Sequence, residues 1–232
     1  RIGAIILMRE TCPNALVHSM EILRTVPGFE ILKKGDLGEV FPAVRGIAGS
    51  EKVRVMLDGH LVNSPRTGSA FHVFDDFPVE HIKRIEIIRG PGSAVYGENA
   101  FSAVINIITF DAKDIDGIKI SGGYGSFDTE EGNIVFGKTC GKVDISGMVH
   151  YRHTDGFDGI VESDFVTQID TGIAPLGFSP ASQAPGKVDD WREEYDLNLK
   201  VAYKGFYVEG LYINKNMGPF IGPLFALADE SN

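Results

Sequence analysis

The feature that most constrains the fold is the segment 84–109, in which two apolar runs flank a loop rich in glycine. The runs Arg84–Ile88 and Ala103–Thr109 are dominated by isoleucine and valine, the β-branched residues that favour strands. The loop between them contains glycines, which permit tight turns because they lack a Cβ atom. The segment therefore predicts two strands that belong to one compact, turn-rich domain.

The residues near the start of the chain carry a helical signal. Leu16, Met20 and Leu23 are spaced i, i+4 and i+7, which places them on one face of a helix. Pro27-Gly28 follows this pattern, and a proline and a glycine just past a helical stretch mark its end. We therefore predict one short amphipathic helix before the first clear strand.

Two further elements are expected before the glycine-rich segment. Val53–Leu57 alternates like a strand, and Asp58-Gly59 after it is a typical hairpin-turn dipeptide. Phe77–Ile82 predicts a short helix, with Asp75 or Asp76 as its cap and a proline in its first turn. Each of these pieces has one apolar face, so we expect all of them to pack together in a small α+β unit.

The pattern changes after about residue 114. Residues 1–114 form the predicted α+β domain, whereas residues 115–232 contain segments in which apolar and polar residues alternate. Alternating segments of about ten residues are typical of transmembrane β-strands, which turn apolar side chains outward to lipid and polar ones inward. The second region therefore predicts about five antiparallel β-strands of an incomplete transmembrane β-barrel. The side chains expected to face lipid are Ile118, Ile120, Val143, Ile145, Val149, Leu197, Leu199 and Val201.

A soluble β-sandwich is the alternative, because its sheets also have one apolar and one wet face. Two observations favour the barrel: the tight links at Thr139–Gly141 and Lys204–Gly205, and the long polar stretch Thr154–Asp190. Short turns on one side and long loops on the other are the asymmetry of outer-membrane barrels. Aromatic residues form girdles near the strand ends of such barrels. The tyrosines expected to lie there are Tyr124, Tyr151, Tyr203 and Tyr212.

The composition excludes several classes of protein. A formal net charge of −10 argues against a nucleic-acid-binding surface, which requires clustered lysine and arginine. No apolar run approaches the roughly 20 residues of a membrane-spanning helix, and residues 1–8 lack the features of a secretory signal. Cys12 and Cys140 lie far apart without the spacing of a zinc site, and the pattern leaves a disulfide between them open.

The motifs of common enzymes and metal sites are missing from the sequence. The loop that starts at Gly90 has no lysine after Gly97, which a phosphate-binding P-loop requires. No Gly-x-Ser-x-Gly elbow accompanies the serine, histidine and aspartate side chains. His150 and His153 are close in sequence, but a strand places residues three apart on opposite faces. We therefore predict no enzyme activity, no cofactor and no metal site.

Four ordered blocks of the sequence resemble the plug domain of TonB-dependent outer-membrane receptors. They are Arg45-Gly46, Val53–Gly59, Ile82–Gly97 and Ala103–Thr109. Leu23–Phe29 is similar to the exit of the plug's early helix, and the strands after Gly117 resemble the first strands of the family's barrel. The resemblance implies energy-coupled import, across the outer membrane of a Gram-negative bacterium, of a scarce ligand such as a ferric siderophore, haem, cobalamin or a carbohydrate.

The same resemblance implies the partners of the protein. They are the TonB energy-coupling protein, a small-molecule ligand such as a metal chelate, and outer-membrane lipid. Residues 2–12 do not resemble the family's usual lead-in, and no TonB box is found. Five strands cannot close a plugged barrel of about 22 strands, so we expect the chain to be a fragment of a receptor. The alternative is a stand-alone plug-like module for binding or signalling without transport.

The ligand is expected to contact the loop Asn63–His72, which the resemblance places near the outer apex of the plug. Binding residues concentrate on loops held by a rigid scaffold, although a solvated connection without a ligand is the alternative. The predicted ligand-binding residues are Asn63, Ser64, Arg66, Thr67, Phe71 and His72. Glu86 and Arg89 are expected to pair with charged side chains of the barrel interior, because a buried charge needs a partner.

Overall fold

The computed structural model describes residues 3–8, 19–33, 40–177, 179–222 and 226–227. The predictions that concern Leu16 and Cys12 fall outside these residues. Cys140 is exposed and its thiol is free.

The first part of the chain forms an α+β domain with two sheets. Its elements are β1 (Gly3–Met8), α1 (Ser19–Arg24), β2 (Phe29–Lys33), β3 (Val40–Val44), β4 (Ile47–Ala48), β5 (Val53–Leu57), β6 (His60–Leu61), α2 (Phe71–Phe74), β7 (Ile82–Arg89), α3 (Ser93–Tyr96), β8 (Ala103–Thr109) and α4 (Ala112–Ile115). The larger sheet has the order β1-β7-β8-β5-β6, and the smaller has the order β2-β3-β4. Only β5 and β8 pair in parallel; the other neighbours are antiparallel.

The core of this domain lies on one face of the larger sheet. The β-branched side chains of β5, β7 and β8 meet α1, α2 and the segment that follows α2. The largest fully buried apolar side chains here are Phe77, Ile22, Ile82, Ile85 and Ile87. The isoleucine-rich runs form strands whose β-branched side chains are buried against the helices.

The predicted hairpin at Asp58-Gly59 is confirmed. Leu57 pairs with His60 across the turn, and both turn residues have positive φ, 48° for Asp58 and 85° for Gly59. Two consecutive residues in the left-handed region define the type I′ turn that suits the twist of a hairpin.

The predicted helix over Phe77–Ile82 is wrong in its extent. Only a single 3₁₀ turn forms, Val79–His81, because β7 already begins at Ile82. Asp75 and Asp76 do not cap it; their carboxylates bind cations of the second region instead.

The second part of the chain is built around a five-stranded antiparallel sheet, which we call the wall sheet. Its strands are β9 (Gly117–Gly125), β10 (Thr129–Cys140), β11 (Val143–Thr154), β14 (Arg192–Tyr203) and β15 (Phe206–Met217), in the order β15-β14-β11-β10-β9. Within the described residues this sheet does not close, so β9 and β15 are its edges. The predicted fold class, an α+β domain followed by antiparallel barrel strands, is confirmed.

The wall sheet reverses the usual distribution of side chains. Its outer face carries the eight apolar residues expected to face lipid, all of them exposed or half-buried, and their contact with lipid stays a prediction. Its inner face lies against the α+β domain and is mostly polar. The buried polar residues of this inner face are Asn133, Ser146, His150, Thr154, Glu194, Asp196, Asn198 and Lys200. One girdle tyrosine is misplaced: Tyr212 pairs with Leu197 in the middle of β15, not near a strand end.

The helix α4 joins the two parts of the chain. It packs against β10, where a Cβ atom on Gly137 would lie only 2.9 Å from the carbonyl oxygen of Ala112. A larger side chain at position 137 would therefore push α4 away from the wall sheet. The predicted domain boundary after residue 114 falls inside α4 and stays a prediction.

The long polar stretch between β11 and β14 contains elements that the sequence did not predict. They are β12 (Ile160–Val161), α5 (Phe165–Ile173) and β13 (Gly186–Lys187). Asp164 caps α5 by accepting a hydrogen bond from Thr167 N at 2.7 Å. Although burial opposes its ionisation, hydrogen bonds from the Leu227 and Thr167 amides hold the pKa of the Asp164 carboxyl well below its usual range. In the described part of the chain, every helix is too short or too polar to cross a membrane.

Candidate functional site

The predicted ligand loop, residues 63–72, connects β6 to α2 and is anchored by Asn63. The Asn63 side chain accepts a hydrogen bond from Val55 N at 2.7 Å and donates to the oxygens of Val53 at 2.9 Å and Gly68 at 2.7 Å. Asn63 is buried. Its role in this structure is therefore to fix the loop on β5, not to present a group to a ligand.

The other predicted residues of the loop divide into two groups. Phe71 is 2% exposed and belongs to the apolar core, so its expected contact with a ligand does not fit this structure. Arg66, Thr67 and His72 are exposed, and Ser64 is half-buried. These four side chains remain the predicted ligand contacts of the loop.

A second loop lies beside the first. Asn99, between α3 and β8, donates to the carbonyl oxygens of Glu51 at 2.8 Å and of Gly68 at 3.2 Å. Asn99 itself has a positive φ of 63°, a conformation that asparagine tolerates better than most residues. The glycine-rich segment recognised in the sequence is thereby joined to the predicted ligand loop at one end of the domain.

The charged residues near the glycine-rich loop have partners within the α+β domain. Arg84 Nε donates to Glu86 Oε1 at 2.8 Å, and Asn106 Nδ2 donates to Glu86 Oε2 at 3.2 Å. Arg89 donates to the carbonyl oxygen of Pro27. The five described strands of the wall sheet supply no partner for Glu86 or Arg89, so pairing with further barrel strands stays a prediction.

Ionic contacts that the sequence could not show hold the α+β domain on the wall sheet. Near the hairpin ends of the strands, Lys200 Nζ lies 2.7 Å from Asp58 Oδ2. The same carboxylate accepts hydrogen bonds from the backbone and hydroxyl of Thr109. Lys200 is almost fully buried. Through these contacts, the carboxylate of Asp58 links the hairpin turn to β8 and to β14.

A second ionic contact lies further along the strands, after α2. Lys215 Nζ on β15 donates to Asp75 Oδ1 at 2.8 Å, and Arg192 Nη1 on β14 donates to Asp76 Oδ2 at 2.8 Å. All four side chains are at most 16% exposed. Because α2 directly follows the predicted ligand loop, this double pair connects that loop to two barrel strands.

Between the two ionic contacts, His81 of the plug forms a hydrogen bond with an uncharged side chain of the wall sheet. His81 Nε2 lies 3.0 Å from Asn198 Oδ1, and Asn198 Nδ2 donates to Glu209 Oε1 at 2.8 Å. Since Asn198 presents its oxygen, His81 Nε2 is the donor. Burial lowers the pKa of His81 to about 4, and the nearby positive charge of Lys200 adds to the effect, although the hydrogen bond to Asn198 opposes it.

Comparisons with known proteins agree with this geometry. Residues 14–104 match the family described as the TonB-dependent Receptor Plug Domain. The vitamin B12 transporter BtuB of Vibrio vulnificus (strain CMCP6) is 34% identical over 145 residues, which cover 60% of this chain and 23% of that protein. Residues 14–104 of this chain therefore form a plug domain of the TonB-dependent receptor type.

Solved structures of TonB-dependent receptors share the fold. The ferripyoverdine receptor of Pseudomonas aeruginosa matches 92% of this chain with a TM-score of 0.66 at 13% identity, over 25% of its own length. The siderophore receptor PiuA of Acinetobacter baumannii matches 92% of this chain with a TM-score of 0.64 at 13% identity, over 26% of its own length. The chain thus spans about a quarter of the length of these relatives.

The relatives of this chain fall into one broad class. TonB-dependent receptors are transporters and receptors, not enzymes, and they reside in the outer membrane of Gram-negative bacteria. The α+β domain is the plug, and the wall sheet corresponds to barrel strands of the family. The predicted absence of enzyme activity is confirmed.

Proposed function

We propose that this chain is the plug and part of the barrel wall of a receptor that imports a scarce small molecule across the outer membrane. The candidate ligands are a ferric siderophore, haem, cobalamin and a carbohydrate, and the TonB energy-coupling protein is the expected source of energy. The ligand is captured at the exposed side chains Arg66, Thr67 and His72 and at the half-buried Ser64.

The observation that supports this proposal is the polar character of the contact between plug and wall. The pairs Asp75–Lys215, Asp76–Arg192 and Asp58–Lys200 hold the plug in place. Water can replace each of these partners when the plug moves, because charged groups are well solvated in water. An apolar interface would instead expose its surface on displacement, which is unfavourable in proportion to area. A releasable plug is what energy-coupled passage through this barrel requires.

An uptake assay tests the proposed function. The full-length receptor that contains this chain is expressed in a Gram-negative host without receptors for the tested ligands, with and without TonB. The probes are radiolabelled cyanocobalamin, ferric enterobactin, haemin and a maltodextrin. We expect TonB-dependent uptake of one of them. Binding without uptake would instead favour the plug-like binding or signalling module, and neither binding nor uptake would contradict both functions.

A charge-removal variant tests whether the polar contact matters for movement. Asp75→Leu together with Lys215→Leu replaces a buried ion pair by apolar packing, a change that is often neutral or stabilising. We expect ligand binding to persist and uptake to slow. The matched control is Asp158→Leu with Lys187→Leu, an exposed pair 3.9 Å apart, and its uptake should equal that of the parent.

A further inference from the structure

The inner face of the wall sheet brings together three side chains of a type that binds metal ions. His150 on β11 lies directly across from Asp196 on β14, and Glu194 is two residues from Asp196 on the same face of that strand. One ligand atom from each of the three lies within 4.8 Å of the others, and all three side chains are at most 2% exposed. These residues lie at the contact between plug and wall.

The hydrogen bonds around His150 determine which ring nitrogen can act as a ligand. Asn133 Nδ2 donates to Glu131 Oε1 at 3.0 Å, which turns the Asn133 oxygen toward His150. His150 Nδ1 lies 2.7 Å from that oxygen and must therefore carry the proton. Nε2 of the neutral ring then carries the lone pair, and a ring held in this way by its other nitrogen is the usual arrangement of a metal-ligating histidine.

The two carboxylates of the cluster are poorly compensated. Among the described residues, neither oxygen of Glu194 accepts a hydrogen bond, and neither does Asp196 Oδ1. The closest cations to Glu194 Oε1 are Lys215 Nζ at 3.8 Å and Arg152 Nη1 at 3.9 Å, both beyond hydrogen-bond distance. The Asp76 carboxyl also faces Glu194 closely enough for the two to share a proton, and without that proton the two ionised carboxylates repel each other.

The surroundings of the cluster are rich in carboxylates. The contacts described around it join six carboxylates and three cations. The carboxylates are Asp75, Asp76, Glu131, Asp190, Glu194 and Asp196, and the cations are Arg152, Arg192 and Lys215. A buried charge without a close partner is costly, so a cation or protons must neutralise part of the charge on Glu194 and Asp196.

We propose that His150 Nε2, Glu194 and Asp196 form a binding site for a divalent transition-metal ion such as Zn²⁺ on the inner face of the barrel wall. One imidazole and two carboxylates are a donor set that zinc accepts, with water in the fourth position. Tetrahedral coordination at about 2.0–2.1 Å brings ligand atoms about 3.4 Å apart, so modest side-chain rotations close the site. The ion neutralises the charges of Glu194 and Asp196 beside the Asp75 and Asp76 contacts of the plug.

Calorimetric titration tests this site. The full-length receptor that contains this chain is stripped with EDTA and titrated with ZnCl₂ alone at pH 7.5. The test variants are His150→Gln, Glu194→Gln and Asp196→Asn, and the control is His153→Gln. His153 is on the opposite face of β11 and lies 3.2 Å from Asp155. We expect a Zn²⁺ site whose affinity falls roughly tenfold or more in each test variant and stays unchanged in the control.

A further variant, which changes none of the three ligands, separates loss of the metal site from misfolding of the protein. Asn133→Ala leaves all three ligands in place but releases the ring of His150, and we expect Zn²⁺ affinity to fall by about 10–100-fold. Zn²⁺ should also raise the thermal unfolding midpoint of the parent but not of Glu194→Gln. No Zn²⁺ binding by the parent would overturn the proposal and leave protons as the source of neutrality. Equal affinity in the parent, Glu194→Gln and Asp196→Asn would also overturn it.

Discussion

The plug and the wall sheet are both rich in β-strands, but the plug buries the apolar faces of its strands, whereas the wall sheet buries its polar face. In the plug, the isoleucines and valines of β5, β7 and β8 point into a core shared with α1 and α2. In the wall sheet, most isoleucines, leucines and valines point outward, and charged residues such as Lys200 and Glu194 are buried on the inner face. The comparison shows that alternation along a strand fixes two faces but not which of them is the interior.

The boundary between the two regions follows from this difference. The inner face of the wall sheet is mostly polar, and it meets the plug through ion pairs and hydrogen bonds. Among the described residues of the wall sheet, Leu211 and Ile213 pack against the plug core, and Val135 and Met148 are buried apolar side chains of the inner face. The plug is thus stabilised mainly by its own core, so it can keep its fold while its contacts with the wall change.

The largest expected effect tests the apolar core of the plug. Phe77 is 1% exposed, and its ring lies 5.6 Å from that of Phe74. Phe77→Ala should lower the free energy of unfolding by about 3–5 kcal/mol, because it leaves a cavity in a packed core. Denaturant titration of the full-length receptor measures this change. The control Phe101→Ala removes an exposed ring of the same domain and should change stability by less than about 0.5 kcal/mol.

The outward face of the wall sheet is tested by a charge placed at mid-strand. Val149 pairs with Leu197 and Ile134 in the middle of the strands. Val149→Arg should cost about 2–4 kcal/mol in folding into lipid bilayers, because the charge meets hydrocarbon. Val143→Arg, at the hairpin end of β11, should cost only about 0–1 kcal/mol. Equal effects at the two positions would show that this face does not meet lipid as expected.

The contact between the two regions should respond to pH through His81. Its pKa is lowered to about 4 in the folded protein, from 6.5 for the free side chain. The unfolded chain therefore takes up a proton first as the pH falls. The contribution of neutral His81 to the free energy of unfolding is therefore fully present above pH 6.5. It decreases by up to about 3 kcal/mol as the pH is lowered from 6.5 to 4.

His81→Gln isolates this effect, because glutamine can keep a hydrogen bond to Asn198 without taking up a proton. The free energy of unfolding is measured against pH for parent and variant. The difference between them should change between pH 6.5 and 4. Parallel curves over this range would mean that His81 is not neutralised by burial at the plug–wall contact.

The smallest effect on stability is expected at the exposed ligand loop. Arg66→Ala with His72→Ala, which keeps Phe71 in the core, should change the free energy of unfolding by less than about 0.5 kcal/mol. The same variant should weaken about tenfold the binding of whichever of the four uptake probes is imported, because hydrogen bonds to the ligand, including those from the Arg66 guanidinium, are lost. Lys113→Ala, an exposed change in α4 at the other end of the plug, is the control. Unchanged binding in the double variant would remove this loop from the site for that ligand.

Much of the architecture was readable from local sequence. The runs Arg84–Ile88 and Ala103–Thr109 became β7 and β8, the dipeptide Asp58-Gly59 forms its hairpin turn, and the alternating segments became the wall sheet. These features depend on neighbouring residues, so periodicity and turn chemistry suffice to predict them. The candidate ligand loop was also found in this way, because polar turn residues between apolar runs predict an exposed connection.

The contacts on which the two proposals rest were decided by the tertiary structure alone. Asp75 and Asp76 were interpreted as helix caps, yet they bind Lys215 and Arg192, more than one hundred residues later. His150 was discounted as a metal ligand because His153 lies on the opposite face of its strand. The register of β11 against β14 instead places Asp196 and Glu194 beside it. Sequence determines which faces a strand has, whereas the partners of a buried charge depend on which strands and domains meet in space, because electrostatic contacts form across the interface and not along the chain.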